Sequence, residues 1–495
     1  MIKLVKSLLL IVLFPVSISI AQETNDNSWS LEECIDYALN NNLDIKNSEY
    51  NVEDYRIQWT QSKAGMYPSA NAGGGYTNLW GRSIDPTTNR FTNQRIQSLG
   101  LQLNANYTLY GGSQLRNSVK RSKMNLEGST YDLETIRNDV MLNVTLAFLN
   151  VILNTELFEN AKSQLEITKA QLEITRKQVK AGALPYSSEL DLIAQVESNE
   201  VQVINTENDV RLSYLNLKQY LLLPADTPFE IVMPELNIED LESIAITSNE
   251  VFATAEDIMP QIKSVDMAQQ SAELLVKISR GALDPRLTVG ANMYSNYSSA
   301  GDRERFLPDP DGSSTTFPDE NGYWINPLDP DPSTNRIPVF KDVEVPNGEI
   351  VDSYPLGPQL QDNWSYSLSM NLVIPIFNGL QSKSGLQRAR IMSKQAGIFA
   401  KQVRQNLRQT IERAYNDAIA ASKSYNASDK QVVSLEESFR AAERSYNLGA
   451  MNIYDYQVAS NNLFRARSDL LRAKYNYIFT AKVLDFYLGK PLTLD

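Results

Sequence analysis

Histidine is absent from this 495-residue chain, and cysteine occurs once. Without histidine, the commonest general base and the commonest metal ligand are both missing. One cysteine excludes a disulfide framework and any cysteine-cluster zinc or iron–sulfur site. No cofactor is expected. Basic residues are in deficit, 46 Lys and Arg against 59 Asp and Glu, for a formal charge of −13. That balance argues against a nucleic-acid partner held through backbone phosphates. Hydrolysis by carboxylates alone stays formally open. The acidic residues gather in one proline-rich segment with no paired motif around them, so no enzyme activity is expected. The lone Cys34, in LEECIDYAL, reads as a helical core position. The length allows two to four ordinary domains.

The first residues read MIKLVKSLLLIVLFPVSISIA. Lys3 and Lys6 form a positive start, Ser7 to Ile20 an apolar stretch too short to span a bilayer, and Ser19-Ile20-Ala21 a small-x-small cleavage site. Residues 1–21 are therefore expected to be a signal peptide. Its removal leaves 44 basic and 59 acidic residues, a net charge of −15. After Ala21 no run of 18 apolar residues occurs, so no transmembrane helix is expected. An exported chain of this kind is either soluble or enters an outer membrane as β-strands.

The chain reads as a duplication. At an offset of 217, Ala38, Ile45, Lys46 and Pro68 meet Ala255, Ile262, Lys263 and Pro285. At an offset of 267, Leu101, Asn104, Gly112 and Ala147 meet Leu368, Asn371, Gly379 and Ala414. The second register persists through Gly182-Ala183 and Gly449-Ala450 to Pro224 and Pro491. The two repeats are placed at 22–248 and 249–495, and the second holds 50 extra residues between its strands. Each repeat reads as a helix, two strands and two very long helices. Strands are predicted over about 68–80, 98–110, 285–298 and 364–377. From Leu99 to Leu109 the odd positions are Leu, Leu, Leu, Ala, Tyr and Leu, and the even ones Gly, Gln, Asn, Asn and Thr. Such segments suit a barrel wall with a lipid face and a wet lumen. Four strands cannot close a barrel, and open edges are forbidden in lipid, so several chains must share one.

No proline lies between Pro86 and Pro185 or between Pro375 and Pro491. Long helices are predicted over about 113–180, 185–222, 380–447 and 453–488, with a linker at 224–248, which the resemblance given below implies is equatorial. Val432, Leu435, Phe439, Ala442 and Tyr446 step in heptads, as do Leu463, Ala466, Leu470, Ala473 and Tyr477. LEIT occurs at 165–168 and again at 172–175, and gives two apolar rows that suit packing on both sides. The long helices turn back at Gly182 and Gly449, each able to take the positive φ of a helix C-cap.

These pieces together resemble the TolC/OprM outer-membrane factor family. The residues that carry the resemblance are SLEECIDYALNNN, SKAGMYP paired with SRGALDP, NANYTLYGG paired with NLVIPIFNG, VKAGALPYSSELDLIAQ and YNLGAMNIYDYQVASNNL. It covers residues 29–493, through the ordered set rather than any one motif. It implies an α+β membrane protein: a homotrimer with a 12-stranded outer-membrane β-barrel, four strands per chain, continuous with a long periplasmic α-helical barrel. It also implies a passive export duct in a Gram-negative-type outer membrane, reaching into the periplasm. There it would serve an inner-membrane RND or ABC pump through a periplasmic adaptor, the membrane fusion protein. The reading adopted is small-molecule or drug efflux. The alternatives are type I protein secretion and, in another class, a periplasm-spanning coiled-coil protein, which would leave the strands and the duplication unexplained.

The resemblance also assigns residues. The adaptor would dock on the two helix tips, at Gly182, Ala183 and Leu184 and at Gly449, Ala450 and Met451. Turn chemistry accounts for the glycines but not for the apolar neighbours at a water-facing tip. The closed periplasmic aperture would involve Asp455 as an acidic ring, Tyr446 as a network tyrosine, and Glu189 and Asp191 beside Ser188, which replaces an acidic partner. The match is partial, so packing is expected to matter there as well as ion pairs. Residues 299–363 hold ten prolines, 13 acidic and four basic residues, and are expected to form an extracellular, polyproline-like acidic lid. No metal is assigned to it, because neither Asp309-Pro310-Asp311 nor Asp329-Pro330-Asp331 has the spacing of an EF-hand loop.

Overall fold

The computed structural model describes residues 28–84, 89–93, 95–234, 246–300, 305–318, 323–325, 337–339, 342–351 and 354–492. The expected signal peptide, most of the linker after Glu235 and parts of the insertion, with Asp329-Pro330-Asp331, lie outside the described residues.

The elements run in order β1 (Ser28–Trp29), α1 (Leu31–Asn41), α2 (Leu43–Ala64), β2 (Ser69–Leu79), β3 (Ser83–Ile84), β4 (Phe91–Thr92), β5 (Ile96–Gly111), α3 (Gln114–Lys180), α4 (Tyr186–Leu221) and β6 (Glu230–Ile231). Then follow α5 (Ser248–Ile258), α6 (Pro260–Gly281), β7 (Arg286–Ser298), β8 (Arg305–Pro308), β9 (Ser314–Pro318), β10 (Tyr323–Ile325), β11 (Ile337–Val339), β12 (Asp342–Pro346), β13 (Gly348–Val351), α7 (Leu356–Asp362), β14 (Ser365–Val373), α8 (Gln381–Asn447) and α9 (Ile453–Tyr487). The bounds of α1 and α2 recur in α5 and α6 at 217, and those of α3 recur in α8 at 267. Local devices recur too. Ser30 and Glu33 form a capping box, and so do Thr247 and Glu250. Left-handed backbone occurs at Gly112, Ser113, Gly182 and Leu222, and again at Gly379, Leu380, Gly449 and Gly489, each 267 residues later.

The chain divides into two compact units, and neither is a sequence repeat. One comprises residues 1–57, 123–272 and 393–495, and the other 58–122 and 273–392. Each draws on both repeats, because the unit boundaries fall inside the helices α2, α3, α6 and α8.

The first unit is helical. Its largest core joins Leu31, Cys34, Ala38 and Ile45 to Val144, Phe148, Val151 and Ile152 of α3, Leu217 and Leu221 of α4, and Tyr475 and Ile478 of α9. A second core repeats part of this plan with Val251, Ala255 and Ile262 against Leu407 and Ile411 of α8. Cys34 and its counterpart Val251 are both fully buried. One 18-residue window of α3 is, by length and composition, apolar enough to cross a membrane, contrary to the expectation that none would be. Its helix feeds the largest core between Val140 and Ile152, which is reason enough for the apolarity.

The second unit holds a four-stranded sheet in the order β14-β7-β5-β2, antiparallel throughout. The registers β2–β5 and β7–β14 are the same pairing repeated. Ala72 opposite Leu103 becomes Val289 opposite Met370 on adding 217 and 267. Registers align the faces across all four strands. One face carries Ala70, Ala72, Tyr76, Leu99, Leu101, Leu103, Val289, Met293, Leu368 and Met370; the other carries Asn71, Gln102, Asn104, Asn106, Thr288, Asn292, Ser367 and Asn371. β14 ends at Val373, four residues short of the predicted limit, because Pro375 has no N–H to donate to a ladder. At its other end β14 stops opposite Tyr294, and α7 takes up the vacated edge of β7. Ser298 N donates to Gln359 Oε1 (3.0 Å), and Asn363 Nδ2 donates to Asn296 O (2.8 Å).

The insertion departs from the polyproline expectation. Among the described residues β8 pairs with β13, β9 with β12 and β10 with β11, three nested antiparallel pairings. Every strand of a two-stranded ribbon is an edge strand, so Pro308, Pro318, Pro338 and Pro346 are tolerated where a central strand would exclude them.

Candidate functional site

The two turns that join the long helices are the same structure built twice. Gly182 N donates to Val179 O and Ala183 N to Gln178 O, both at 2.9 Å. Gly449 N to Tyr446 O and Ala450 N to Ser445 O repeat the pattern at the same length. This is the double hydrogen bond of a Schellman motif, with Gly182 at φ 75° and Gly449 at φ 74°. Pro185 and Asn452 then open α4 and α9. Ala183, Gly449 and Ala450 are exposed, whereas Leu184 and Met451 are half-buried. The most exposed apolar side chain of the turns is Leu448, at 84%.

The residues named for the aperture take different environments. Tyr446 is buried, with its hydroxyl 3.2 Å from Thr175 Oγ1 of α3 and its ring stacked on Tyr456 at 5.0 Å. Burial pushes the Tyr456 hydroxyl up to about 12, with Glu443 adding to the shift, so it stays protonated at any physiological pH. Asp455 is exposed and sits in the first turn of α9, where the Asn452 side chain accepts from its N–H (2.9 Å) and donates to its Oδ2 (2.7 Å). Glu189, in the first turn of α4, accepts from Arg176 Nε at 3.2 Å, and Glu173 accepts from Arg176 Nη1 at 2.7 Å. These two carboxylates hold Arg176 charged beyond its ordinary range. Asp191 is exposed two residues further along α4. The structure thus ties Glu189 to α3 and Tyr446 to Thr175, and joins neither to Asp455.

The seam above the turns also differs from its expected form. Of the two LEIT rows, Leu172 is buried, but Ile174 is exposed. The row that α3 buries is polar: Gln164, Thr168, Gln171 and Thr175. Gln164 Nε2 donates to Ser460 Oγ of α9, and Asn199 Nδ2 of α4 donates to Thr168 Oγ1, both at 2.8 Å. Farther from the turns in the same helices Asn160 Nδ2 donates to Ser468 Oγ (2.9 Å) and Tyr475 Oη to Glu156 Oε1 (2.8 Å). Arg467 donates to Glu436 at 2.6 Å, which fastens α9 to α8. In this unit α3 therefore lies between α4 and α9, and α8 lies against α9. Amides that donate to hydroxyls of neighbouring helices specify a helix packing without supplying a reactive group. Among the described residues no group of three or more carboxylates or thiols could hold a metal ion.

A helical layer with polar seams, two equivalent turns and a sheet with one apolar face define a class: membrane channels that combine long helices with β-strands. Residues 34–221 and 254–490 match the family model described as outer membrane efflux protein, and the chain belongs to that family. It is an outer-membrane protein. The probable outer membrane lipoprotein SilC of Salmonella typhimurium is 21% identical over 447 residues, which cover 89% of this chain and 81% of SilC. A shorter match to the outer membrane protein TolC of Escherichia coli, 27% over 122 residues, spans 25% of each chain. The crystal structure of CusC, described in terms of folding and transmembrane channel formation, superposes with a TM-score of 0.73 at 16% identity, over 93% of this chain and 92% of CusC.

Proposed function

We propose that three copies of this chain form one outer-membrane duct, with a 12-stranded barrel completed by four strands from each. The observation that carries the reading is the sheet itself. Its faces are sorted into apolar and polar over four strands, and among the described residues β2 and β14 each pair on one side only. In lipid, such edges must be satisfied by another chain. The helical layer would form the periplasmic wall, and the paired strands β8 to β13 would stand outside the cell. The duct is passive. It receives small molecules from an inner-membrane RND or ABC pump through a periplasmic adaptor docked at Gly182, Ala183, Leu184, Gly449, Ala450 and Met451, to which the exposed Leu448 adds. Asp455, Glu189 and Asp191, with Tyr446 behind them, would line the closed end. Protein export through the same duct is the alternative, and cargo measurements in strains lacking pump or adaptor separate the two. Extraction of outer membranes in mild detergent tests the assembly. A heat-dissociable oligomer with channel conductance in planar bilayers supports it, and a monomer without conductance refutes it.

A further inference from the structure

Charge is distributed unevenly over the sheet unit, and its consequence rests on the outer-membrane reading above. The strands share one end, where Val373 lies opposite Arg286, Arg286 opposite Gly111, and Ser69 opposite Asn106. Here α2 and α6 run into the sheet, and α3 and α8 run out of it. The stretches of the unit at this end, 58–68, 112–122, 273–285 and 374–392, hold nine basic and two acidic residues. The two connections at the opposite end, 80–95 and 299–364, hold seven basic and fourteen acidic residues. We propose that the basic end binds the headgroups of anionic phospholipids in the membrane leaflet that faces the periplasm, through Lys63 and Arg280, Arg116 and Lys383, and Arg121 and Arg388.

Three observations carry it. The first is repetition. The six cations are three repeat positions, each filled twice: 217 separates Lys63 from Arg280, and 267 separates Arg116 from Lys383 and Arg121 from Arg388. The second is that their charge is not neutralised within the protein. Among the described residues none of the six has an ion-pair partner. By contrast Arg137 and its counterpart Arg404, farther along α3 and α8, pair with Glu49 at 2.9 Å and Asp266 at 2.7 Å. Arg116, Arg280, Lys383 and Arg388 are exposed, and Lys63 and Arg121 are half-buried. Clustered like charges repel, so such a group calls for an anionic partner from outside the chain.

The third is an aromatic border at the same end. Tyr110 and its counterpart Phe377 are 50% and 79% exposed, with Tyr67 at 73%. Tyr107 and Tyr110 stand on the apolar face, opposite Val289 and Leu287. Aromatic rings mark the level where acyl chains give way to headgroups, and cations just beyond them meet the phosphates. The helix ends are also held together there. A Cβ on Gly112 or on Gly281 would collide with the other's backbone, and Ser382 Oγ donates to Ala282 O (3.3 Å). The cations therefore share one border. A lipid lays its acyl chains on the apolar face while its phosphate meets these side chains; a free phosphate has no such anchor.

Lipid retention by the full-chain oligomer tests the proposal. The oligomer is exchanged into detergent micelles that carry phosphatidylglycerol and phosphatidylcholine in equal amounts, then washed, and its bound lipid is counted by native mass spectrometry. Phosphatidylglycerol should be retained over phosphatidylcholine, the preference should fall as salt is raised, and excess inorganic phosphate should not displace the lipid. Arg116→Gln with Lys383→Gln should weaken retention about fivefold for each charge that a headgroup loses. Arg116→Lys with Lys383→Arg should retain the lipid as the unsubstituted chain does. Lys423→Gln with Lys430→Gln, exposed positions farther along α8, should change nothing. Equal retention of the two lipids by the unsubstituted oligomer overturns the proposal, whatever the variants do. So does a preference that survives Arg116→Gln with Lys383→Gln, or one that inorganic phosphate abolishes. Single channels of that variant that lose anion preference while lipid retention stays intact put the cations in the lumen, which overturns it as well. Failure of the unsubstituted chain to form an oligomer overturns the duct reading instead.

Discussion

Replacing Asn104 with Asp is the sharpest perturbation of the sheet's polar face. Asn104 is flanked across the strands by Asn71 and Asn292, and Asn292 by Ser367, so it lies in a row of uncharged polar residues. The four strands carry one charged residue between them, Arg286 at the first position of β7. If this face lines a water-filled lumen, three copies add three carboxylates to a neutral wall. At ~10 Å from the axis, each stabilises a cation by about 0.4 kcal/mol in a water-like dielectric, about 1.2 kcal/mol together. One Debye length of screening at 0.1 M salt reduces this to about 0.4 kcal/mol. Cations then gain roughly twofold and anions lose roughly twofold, about a fourfold change in permeability ratio that grows on dilution. Reversal potentials across planar bilayers under a salt gradient measure it directly. Leu103→Asp is the control, since the same charge on the apolar face penalises insertion and should lower the amount assembled. Unchanged selectivity in an Asn104→Asp channel of normal conductance would refute the assignment of this face to the lumen, and so would normal assembly of Leu103→Asp.

Further outcomes follow from single residues. Asp455→Ala should change single-channel conductance or cation preference at the closed end; a channel unaltered in both shows that the carboxylate serves only the Asn452 cap. Phe148→Ala, in the largest core at 1% exposure, should lower the denaturant stability of the assembled protein by about 3–5 kcal/mol, and a loss below 1 kcal/mol would contradict its packing. Burial pushes the Cys34 thiol up to about 12, with Glu33 and Glu32 adding to it, above the ordinary value it regains on unfolding. Its thiolate is therefore suppressed in the folded state between those values. Maleimide labelling at pH 9 should be slow in the native oligomer and fast after denaturation. Equal rates would mean that the helix of Cys34 is not packed as described. Tyr475→Phe removes the hydroxyl bonded to Glu156, whose second oxygen is already buried without a partner, and should cost about 1–3 kcal/mol in the same unfolding measurement.

Much of the helical plan was legible because it is local. Two proline-free stretches, heptads such as Leu463, Ala466 and Ala473, and a glycine at each turn are signals within a few residues of the structure they produce. Those three residues are indeed buried. The strands were legible for the same reason, through strict alternation. What could not be read is pairing over distance. Arg305 opposite Val351 is a contact across most of the insertion, and proline density there suggested an extended chain instead. The polar row Gln164, Thr168, Gln171 and Thr175 was hidden in the same way. Each residue has a donor or acceptor that would suit water; for Gln164, Thr168 and Thr175 only the neighbours Ser460, Asn199 and Tyr446, brought in from other helices, make burial tolerable, and Gln171 Nε2 is buried without a partner.

By itself the sequence determined the repeat, its offsets of 217 and 267, the lengths of the helices and the sides of the strands. Those properties depend on spacing along one chain, where backbone sterics and side-chain periodicity act locally. Only the tertiary structure decided that β7 lies between β5 and β14, that each compact unit takes pieces of both repeats, and that the described strands of the acidic insertion pair in nested fashion. Strand order and hydrogen-bond partners are non-local, and the same alternating segments could satisfy their faces in more than one order. The register Gln102 opposite Tyr294 becomes visible only once the strands are side by side.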